Sequence, residues 1–295
     1  MKYFTEENIS LKKYNTLGIG NIAKYLYEPT SFNDLKDALK YYKDNNIKYF
    51  VVGNGSNIIF PDNDFDGVLI TLKKLNNITI NNNVLEVEGG VLLPHLNKHL
   101  LDKGYTNFIW AAGIPGTVGG AIYGNAGAYN FDTFHYLKNV TILKDNEMLT
   151  LNKDDIKYGY RETNLTNTII LKGSFELLKD NLEESINIMN ENLEKRKLSQ
   201  PLEYKNAGST FRNPVDNYAG KLIEDSNLKG KTINDAMVST KHANFIVNLE
   251  KATSKDITDL IYIIKKEVKQ NYNIDLVLEN KIIKWEELWK KLKRD

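Results

Sequence analysis

Between residues 112 and 129 the chain reads Ala-Gly-Ile-Pro-Gly-Thr-Val-Gly-Gly-Ala-Ile-Tyr-Gly-Asn-Ala-Gly-Ala-Tyr. Six of the 19 glycines of the chain lie in this run, between Gly113 and Gly127. A glycine inside a helix or strand costs roughly 0.5–1 kcal/mol relative to alanine. We therefore predict a loop here, whose bare backbone presses against a flat or anionic group.

A second glycine loop, Gly53-Asn54-Gly55-Ser56-Asn57, follows the apolar run Tyr49-Phe50-Val51-Val52. Main-chain N–H groups of two such loops can hold a pyrophosphate without any lysine. The alternative interpretation of both loops is a pair of tight turns that bind nothing.

The composition limits the class of protein. The chain has 295 residues, of which 41% are hydrophobic and 26% charged, as in an ordinary globular protein of two or three domains. A net charge of +1 gives no reason to expect a nucleic acid or membrane partner. The absence of cysteine excludes disulfides and thiolate chemistry. With no signal peptide and no apolar run of about 20 residues, we expect a cytoplasmic protein without membrane insertion.

Hydrophobic periodicity predicts a mixture of helices and strands, which is the α+β class. The predicted helices span residues 31–45, 92–104, 180–199, 218–227, 254–272 and 285–295. The predicted strands span residues 23–27, 49–52, 58–60, 67–72, 78–80, 84–87, 140–143, 147–151, 168–173, 236–238, 245–247 and 276–278.

Two motifs resemble known binding sites but lack the surrounding sequence that those sites require. Gly18-Ile19-Gly20-Asn21-Ile22-Ala23 has the letters of a dinucleotide fingerprint, but no apolar strand precedes it and the following residues look extended, so we predict no Rossmann fold. His95 and His99 lie four residues apart on a predicted helix without a third ligand nearby in sequence, so we predict no metal site.

Three polar residues stand in segments that suggest chemistry. Arg161 follows Tyr158-Gly159-Tyr160, Ser209 lies in Asn206-Ala207-Gly208-Ser209-Thr210-Phe211-Arg212-Asn213-Pro214, and Glu279 ends the run Leu276-Val277-Leu278. Each also has an ordinary interpretation: a surface arginine, a serine that caps a turn, and a solvated glutamate. Alternatively, the arginine binds a carboxylate or enolate and the serine donates a proton.

The order of these segments resembles the UDP-N-acetylenolpyruvoylglucosamine reductases, the flavoenzymes that make UDP-N-acetylmuramate for bacterial peptidoglycan. The most specific strings that carry this resemblance are Gly-Ile-Pro-Gly-Thr-Val-Gly-Gly-Ala at residues 113–121 and Lys-His-Ala-Asn-Phe-Ile-Val-Asn at residues 241–248. The resemblance runs from about Asn15-Thr16 to Glu279. The short stretch from Arg161 to Gly173 indicates the variant that lacks the extra substrate-covering loop.

The resemblance implies an FAD-binding fold of the vanillyl-alcohol-oxidase (PCMH) type, in two lobes, with a C-terminal α+β substrate domain. We expect the FAD-binding domain at residues 1–185, with lobes at about 1–72 and 73–185. The substrate domain is expected at 186–295, with the tail helix 285–295 packing back on the protein.

The resemblance also implies noncovalent FAD as the cofactor and NADPH as the reductant. Asn15 and Thr16 match an early motif of the flavin domain. The residues expected to bind FAD are Gly53, Asn54, Gly55, Ser56, Asn57, Gly113, Ile114, Pro115, Gly116, Thr117, Gly119, Gly120, Asn125, Gly127 and Ala128.

In the reaction that the resemblance implies, a hydride passes to C3 of the enolpyruvyl ether of a UDP-sugar. Arg161 and Glu279 match the residues that stabilise the enolate-like intermediate, and Ser209 matches the acid that protonates C2. Arg212 and Asn213 are expected near the UDP-sugar.

Thr163 and Leu165 stand where the family commonly has Ser and Phe, so the packing around Arg161 differs from the family pattern. We expect a monomer without a nucleic acid partner. The alternatives are another FAD-dependent oxidoreductase of the same fold and a non-catalytic nucleotide-binding protein.

Overall fold

The computed structural model describes residues 3–287, in which helices and strands are mixed along the chain. The α-helices of this range are α1 (Phe32–Asp44), α2 (Leu93–Leu101), α3 (Val118–Gly124), α4 (Leu182–Ser199), α5 (Ala219–Asp225) and α6 (Ser254–Tyr272). The strands are β1 (Glu6–Ser10), β2 (Ile22–Tyr27), β3 (Tyr49–Val52), β4 (Ile58–Ile59), β5 (Phe65–Thr71), β6 (Ile78–Asn81), β7 (Val84–Glu88), β8 (Gly127–Ala128), β9 (Phe131–Asp132), β10 (Leu137–Lys144), β11 (Glu147–Asn152), β12 (Tyr158–Gly159), β13 (Glu162–Thr163), β14 (Ile169–Glu176), β15 (Lys205–Asn206), β16 (Thr232–Ile233), β17 (Ala236–Val238), β18 (Ile246–Asn248) and β19 (Lys281–Ile282).

The described chain forms two compact units, each built from segments that are separate in sequence. The first unit consists of residues 3–6, Tyr25–Asn54 and Gly67–Arg196, and the second of Glu7–Lys24, Gly55–Asp66 and residues 197–287. The predicted domain boundary at residue 185 falls inside α4 and stays a prediction.

The first unit contains a five-stranded antiparallel sheet in the order β11-β10-β14-β7-β6. Helix α3 packs on this sheet so closely that a Cβ on Gly173 of β14 would lie 2.7 Å from Cδ1 of Ile122. Buried side chains such as Leu85, Phe134 and Phe175 form the core. The predicted β6–β7 hairpin is confirmed, with Ile80 opposite Leu85.

The first unit also contains the parallel pair β3 and β5, preceded by helix α1. The hydroxyl of Ser31 accepts a hydrogen bond from the Asp34 amide, so the predicted N-cap is confirmed. Leu35, Ala38 and Tyr42 of α1 are fully buried, as their helical spacing predicts. The end of β3 leads directly into the first glycine loop.

The second unit contains the four-stranded sheet β15-β18-β17-β16. Ile257, Leu260 and Ile264 of α6 are buried in its core, and α6 has the bounds that the sequence predicts. A capping box starts this helix: Asp256 N–H donates to the Thr253 hydroxyl, and Thr253 N–H donates to the Asp256 carboxylate.

Two predictions about local structure are wrong. The glycine run is not all loop, because residues 118–124 in its middle form α3, with Gly119 and Gly120 inside the helix. A Cβ on Gly119 would lie 3.0 Å from the Gly89 carbonyl, so close backbone packing offsets the poor helix propensity. Residues 276–278 form only an isolated bridge at Leu278, and the regular strand is β19, a few residues later.

The predicted extended conformation after Gly20 is confirmed by β2. The predicted tail helix, 285–295, lies outside the described residues except for its first three positions. There the Trp285 ring stacks on Phe65 at 4.2 Å between centroids, within the second unit.

Asp256 provides a test of the α6 cap by pH. Burial alone would raise the pKa of this carboxyl, but hydrogen bonds from Thr253 and Asn234 outweigh it and hold the pKa below its usual value of 3.8. The carboxylate therefore stabilises the folded state fully above pH 3.8, and this contribution is lost as the pH falls through the lowered pKa.

We expect Asp256→Asn to lower the free energy of unfolding at pH 7 by about 1 kcal/mol. The difference from wild type should shrink as the pH falls below 3.8. Urea denaturation at several pH values measures it. Asp259→Asn is the control, because the Asp259 carboxylate pairs with the exposed Lys255 and loss of this surface pair should cost a few tenths of a kcal/mol. An Asp256→Asn difference independent of pH would contradict the prediction.

Candidate active site

The two glycine loops meet within the first unit. The Asn54 side-chain amide donates to the Pro115 carbonyl at 2.6 Å. A Cβ on Gly53 would lie 2.6 Å from Oγ1 of Thr117, so only glycine fits at this contact. The structure therefore brings together the start of the first loop and the 113–117 segment of the second, as a shared cofactor site requires.

Backbone amides in this region are unused by the protein. Within residues 3–287, the N–H groups of Asn54, Gly116 and Thr117 donate to no protein atom. The Thr117 hydroxyl caps α3 by accepting from Gly120 N–H at 3.2 Å. Free amides beside a helix start are the donors that a pyrophosphate needs.

The remainder of the first loop belongs to the second unit, where Gly55 adopts a φ of +63°. A Cβ on Gly55 would overlap the Tyr14 carbonyl oxygen and lie 2.5 Å from Cα of Asn15. The Asn15 amide donates to the carbonyls of Leu11 and Ile19, and thereby holds this neighbouring segment in place. Asn15 thus fixes the conformation of the segment against which the first glycine loop packs.

Thr16, the other residue of the predicted early motif, also makes contacts within the second unit. Its amide donates to the Gly55 carbonyl, and its hydroxyl donates to the Asn206 carbonyl at 2.6 Å. Thr16 therefore connects the first glycine loop to the segment that precedes Ser209.

The end of the second glycine run is held by buried Asn125, a left-handed C-cap of α3 with a φ of 42°. Its side-chain amide donates to the Gly159 carbonyl and to Asp132, and its carbonyl accepts from Phe134 N–H. All of these contacts are internal, so the contact of Asn125 with FAD stays a prediction.

Arg161 occupies the turn of the β12–β13 hairpin, in the left-handed region with a φ of 61°. Its guanidinium donates to the Gly127 carbonyl at 2.5 Å and lies 4.9 Å from the centre of the Tyr160 ring. The first unit thus brings Arg161 to the predicted cofactor residues Gly127 and Ala128. A guanidinium fixed in this way is a preorganised cation.

The connection after Arg161 is short, with residues 164–168 alone joining β13 to β14. The Thr163 hydroxyl donates to the Tyr123 carbonyl at 2.7 Å, and Leu165 is buried in the core of the first unit. Both residues at which the sequence departs from the resembled pattern, Thr163 and Leu165, are therefore held by contacts within the first unit.

Ser209 lies in a tight bend of the second unit. Gly208 before it has a φ of +74° and donates its amide to the Asn206 side chain, and Thr210 after it donates to the Asn244 carbonyl at 2.7 Å. Ser209 is half-buried, and among residues 3–287 its hydroxyl has no protein partner. The bend therefore presents a free hydroxyl on a well-held backbone.

Glu279 lies on the chain segment that pairs with the serine segment. Phe211 bridges Leu278 in antiparallel fashion, Arg212 N–H donates to the Val277 carbonyl, and Glu279 N–H donates to the Thr210 carbonyl at 2.9 Å. Beyond Glu279, β19 runs parallel to β4, directly after the first glycine loop. The second unit thus aligns the serine, the glutamate and Asn57 on three adjacent segments.

The predicted substrate residues follow Ser209. The half-buried Arg212 is held by the backbone pairing described above, and the exposed Asn213 accepts the Ala219 amide at the start of α5 with its side-chain carbonyl. Their contact with substrate stays a prediction.

Two polar residues outside the predicted site contact it. Arg196 packs on the second glycine run, where a Cβ on Gly113 would lie 3.0 Å from the Cδ of Arg196, and burial lowers the pKa of this guanidinium. Asn280 is buried and donates to Asn57 and to the serine bend. An asparagine after a strand is usually a turn residue, so the sequence carried no signal for Asn280.

Within residues 3–287, no cluster of three or more histidine, aspartate or glutamate side chains could hold a metal ion. In the same range, no helix has both the length and the apolar character needed to cross a membrane.

Comparison with known proteins gives matches along most of the chain. A family model described as "UDP-N-acetylenolpyruvoylglucosamine reductase, C-terminal domain" matches residues 200–283, and one described as "FAD binding domain" matches residues 23–151. The UDP-N-acetylenolpyruvoylglucosamine reductase of Clostridium kluyveri (strain NBRC 12016) is 40% identical over 276 residues, 92% of this chain and 91% of the relative. That of Clostridium novyi (strain NT) is 38% identical over 281 residues, 94% and 92% of the two chains.

A solved structure is also similar. The crystal structure of UDP-N-acetylenolpyruvylglucosamine reductase from Thermus caldophilus matches with a TM-score of 0.82 and 31% identity, covering 96% of this chain and all of that one. The expected fold, an FAD-binding domain followed by a second α+β region, is confirmed.

The first glycine loop gives a test of cofactor binding. We expect Gly55→Ala to weaken FAD binding at least about 10-fold, because a Cβ there meets Tyr14 and Asn15 and moves the loop. Gly104→Ala is the matched control: Gly104 has a similar φ of +76°, but nothing lies within 4 Å of its added Cβ. Fluorescence titration of the flavin-free variants measures both. Equal affinities for FAD in the two variants would contradict the prediction.

Proposed function

Because the chain belongs to the UDP-N-acetylenolpyruvoylglucosamine reductase family and is therefore an FAD-dependent oxidoreductase, we propose that it reduces the enolpyruvyl ether of UDP-N-acetylglucosamine to UDP-N-acetylmuramate. NADPH is the reductant in this proposal, and the product is a precursor of peptidoglycan. One observation carries the proposal. In the second unit, Ser209 and Glu279 lie on paired segments beside the first glycine loop.

The residues present fit FAD. Gly53 and Gly55 lie where side chains would clash, and the unused amides of Asn54, Gly116 and Thr117 can neutralise a pyrophosphate. None of the four histidines of the chain lies in either glycine loop, which supports noncovalent rather than histidyl-linked binding. When bound, FAD supplies to the substrate a hydride that it has taken from NADPH.

The chain's own residues control the charge that follows hydride transfer to C3 of the enolpyruvyl group. An electron pair then resides at C2 and spreads into the substrate carboxylate. Arg161, already fixed by the Gly127 carbonyl and the Tyr160 ring, stabilises this negative charge without reorganising. Glu279, which lies on the segment paired with that of Ser209, is the second residue that stabilises the intermediate in this proposal.

Ser209 ends the reaction by donating its hydroxyl proton to C2, which forms the new C–H bond and leaves an alkoxide that solvent reprotonates. Serine is a weak acid in water, so the step depends on a strongly basic enolate and on a well-placed hydroxyl. The free hydroxyl on a well-held bend supports this role. Arg212 and Asn213, on the same segment, bind the UDP-sugar in this proposal.

NADPH oxidation in the presence and absence of the enolpyruvyl UDP-sugar tests the proposed function. With oxygen excluded, we expect oxidation to depend on the UDP-sugar, with UDP-N-acetylmuramate as the product, because the reduced flavin then turns over only when the UDP-sugar accepts its hydride. Equal rates with and without the sugar nucleotide would refute the proposal and favour another FAD-dependent oxidoreductase. The monomeric state and cytoplasmic location stay predictions.

The acid role of Ser209 is tested by separating the two half-reactions. We expect Ser209→Ala to slow reoxidation of the reduced enzyme by the UDP-sugar about 100-fold or more, because a general acid is lost. Flavin reduction by NADPH should stay within about 2-fold of wild type, since that step needs no proton from Ser209. Stopped-flow absorbance of the flavin measures both rates.

Ser226→Ala serves as the control for Ser209→Ala, because the Ser226 hydroxyl donates to the Leu222 carbonyl and accepts from the exposed Asn271 side chain, and neither residue belongs to the proposed site. Both half-reactions of this variant should match wild type. An equal loss in the two half-reactions of Ser209→Ala would exclude the acid role.

A further inference from the structure

We propose that Asn280 is a positioning residue that holds the hydroxyl of Ser209 in place for proton transfer. The inference rests on the proposed function, since it assumes that Ser209 is the acid. Asn280 belongs to neither glycine loop and follows Glu279 in the chain. The residue is 6% exposed, so the contacts that its side chain makes are shielded from water.

The amide nitrogen of Asn280 lies within hydrogen-bond distance of three acceptors. They are the Asn57 side-chain carbonyl at 2.8 Å, the Ala207 carbonyl at 2.9 Å and the Ser209 carbonyl at 3.1 Å. An amide NH₂ has two hydrogens, so one hydrogen is shared between two acceptors. A single side chain thus joins the first glycine loop to both sides of the serine bend.

The serine bend depends on this side chain more than its neighbours do. Among residues 3–287, the carbonyls of Ala207 and Ser209 accept no hydrogen bond except from Asn280. Between them lies Gly208, with a φ of +74° and enough open space that an added Cβ would come no closer than 4.0 Å to the Ser56 carbonyl. Without the amide of Asn280, the bend has both the freedom and the space to move.

The other two segments are held independently. Lys281 N–H donates to the Asn57 carbonyl at 2.9 Å, and the Asn57 side-chain amide donates to the Glu279 carbonyl at 3.1 Å. The parallel β4–β19 pair continues the same connection. Removing the side chain of Asn280 therefore leaves Glu279 and the first glycine loop in place and releases chiefly Ser209.

The consequence is specific to one chemical step. A misplacement of about 1 Å can cost a reaction about 100-fold in rate, because the proton must travel along a short, aligned path. We expect Asn280→Ala to slow reoxidation by the UDP-sugar about 10- to 100-fold. FAD content and flavin reduction by NADPH should stay within about 2-fold of wild type.

A double-mutant cycle distinguishes positioning from a general loss of structure. If Asn280 acts through Ser209, then Asn280→Ala has no further effect on reoxidation in a Ser209→Ala background. If Asn280 acts otherwise, the two losses multiply, and that result would overturn the inference. Asn107→Ala is the matched control, because Asn107 is 5% exposed and its side-chain amide donates to the Glu176 carbonyl within the first unit. It should leave the ratio of the half-reactions unchanged.

The variant Asn280→Asp adds a pH readout and serves alone should Asn280→Ala fail to fold. Burial among three oxygen acceptors raises the pKa of the introduced carboxyl, and only its neutral form, populated below that pKa, can donate a hydrogen bond. Reoxidation by Asn280→Asp should therefore recover toward the wild-type rate as the pH falls. A constant ratio to wild type at every pH would count against the inference.

The outcomes separate this inference from the proposed function. If the UDP-sugar does not reoxidise the reduced wild-type enzyme, the proposed function fails, and the inference fails with it. If Ser209→Ala reoxidises at the wild-type rate, the acid role fails. If both tests succeed but Asn280→Ala reoxidises at the wild-type rate, the positioning role alone is wrong.

Discussion

The close approach of bare backbone at the two glycine loops is the constraint on which the candidate site depends. Gly53 lies against Thr117 in the first unit, and Gly55 lies against Tyr14 and Asn15 in the second. Neither contact leaves room for a Cβ. Because the side chains are missing, main-chain amides of the loops stay accessible to a phosphate, and the protein needs no lysine there to neutralise it. Close backbone packing likewise accounts for Gly119 inside helix α3, where an added Cβ would lie 3.0 Å from the Gly89 carbonyl.

Within each unit, the side chains that carry the proposed chemistry are fixed mainly by backbone pairing. Arg161 sits in a hairpin turn with positive φ and is anchored to a carbonyl of the second glycine run. Ser209 and Glu279 lie on antiparallel segments whose hydrogen bonds set their relative register. The free energy of reorganisation during the reaction is therefore small, because the groups that stabilise charge are already oriented before the charge forms.

Buried asparagines supply the second level of positioning. Asn125 joins the end of α3 to the Arg161 hairpin. Asn15 holds the segment against which the first glycine loop packs, and Asn280 joins that loop to the serine bend. An asparagine amide carries both donors and an acceptor without a net charge, so it can satisfy several carbonyls in a dry environment. A buried lysine or aspartate in the same place would carry a large desolvation cost.

Local sequence determined much of this protein. Hydrophobic periodicity and capping residues determined α1 and α6, alternation determined the β6–β7 hairpin, and the ordered motifs identified the family. These features depend on neighbours a few residues apart, so they can be read from the chain. The tertiary structure alone decided that the middle of the glycine run is a helix, that Glu7–Lys24 and Gly55–Asp66 pack with the C-terminal region, and that Asn280 holds the serine bend. Each of these depends on contacts between residues far apart in sequence, whose pairing no local pattern records.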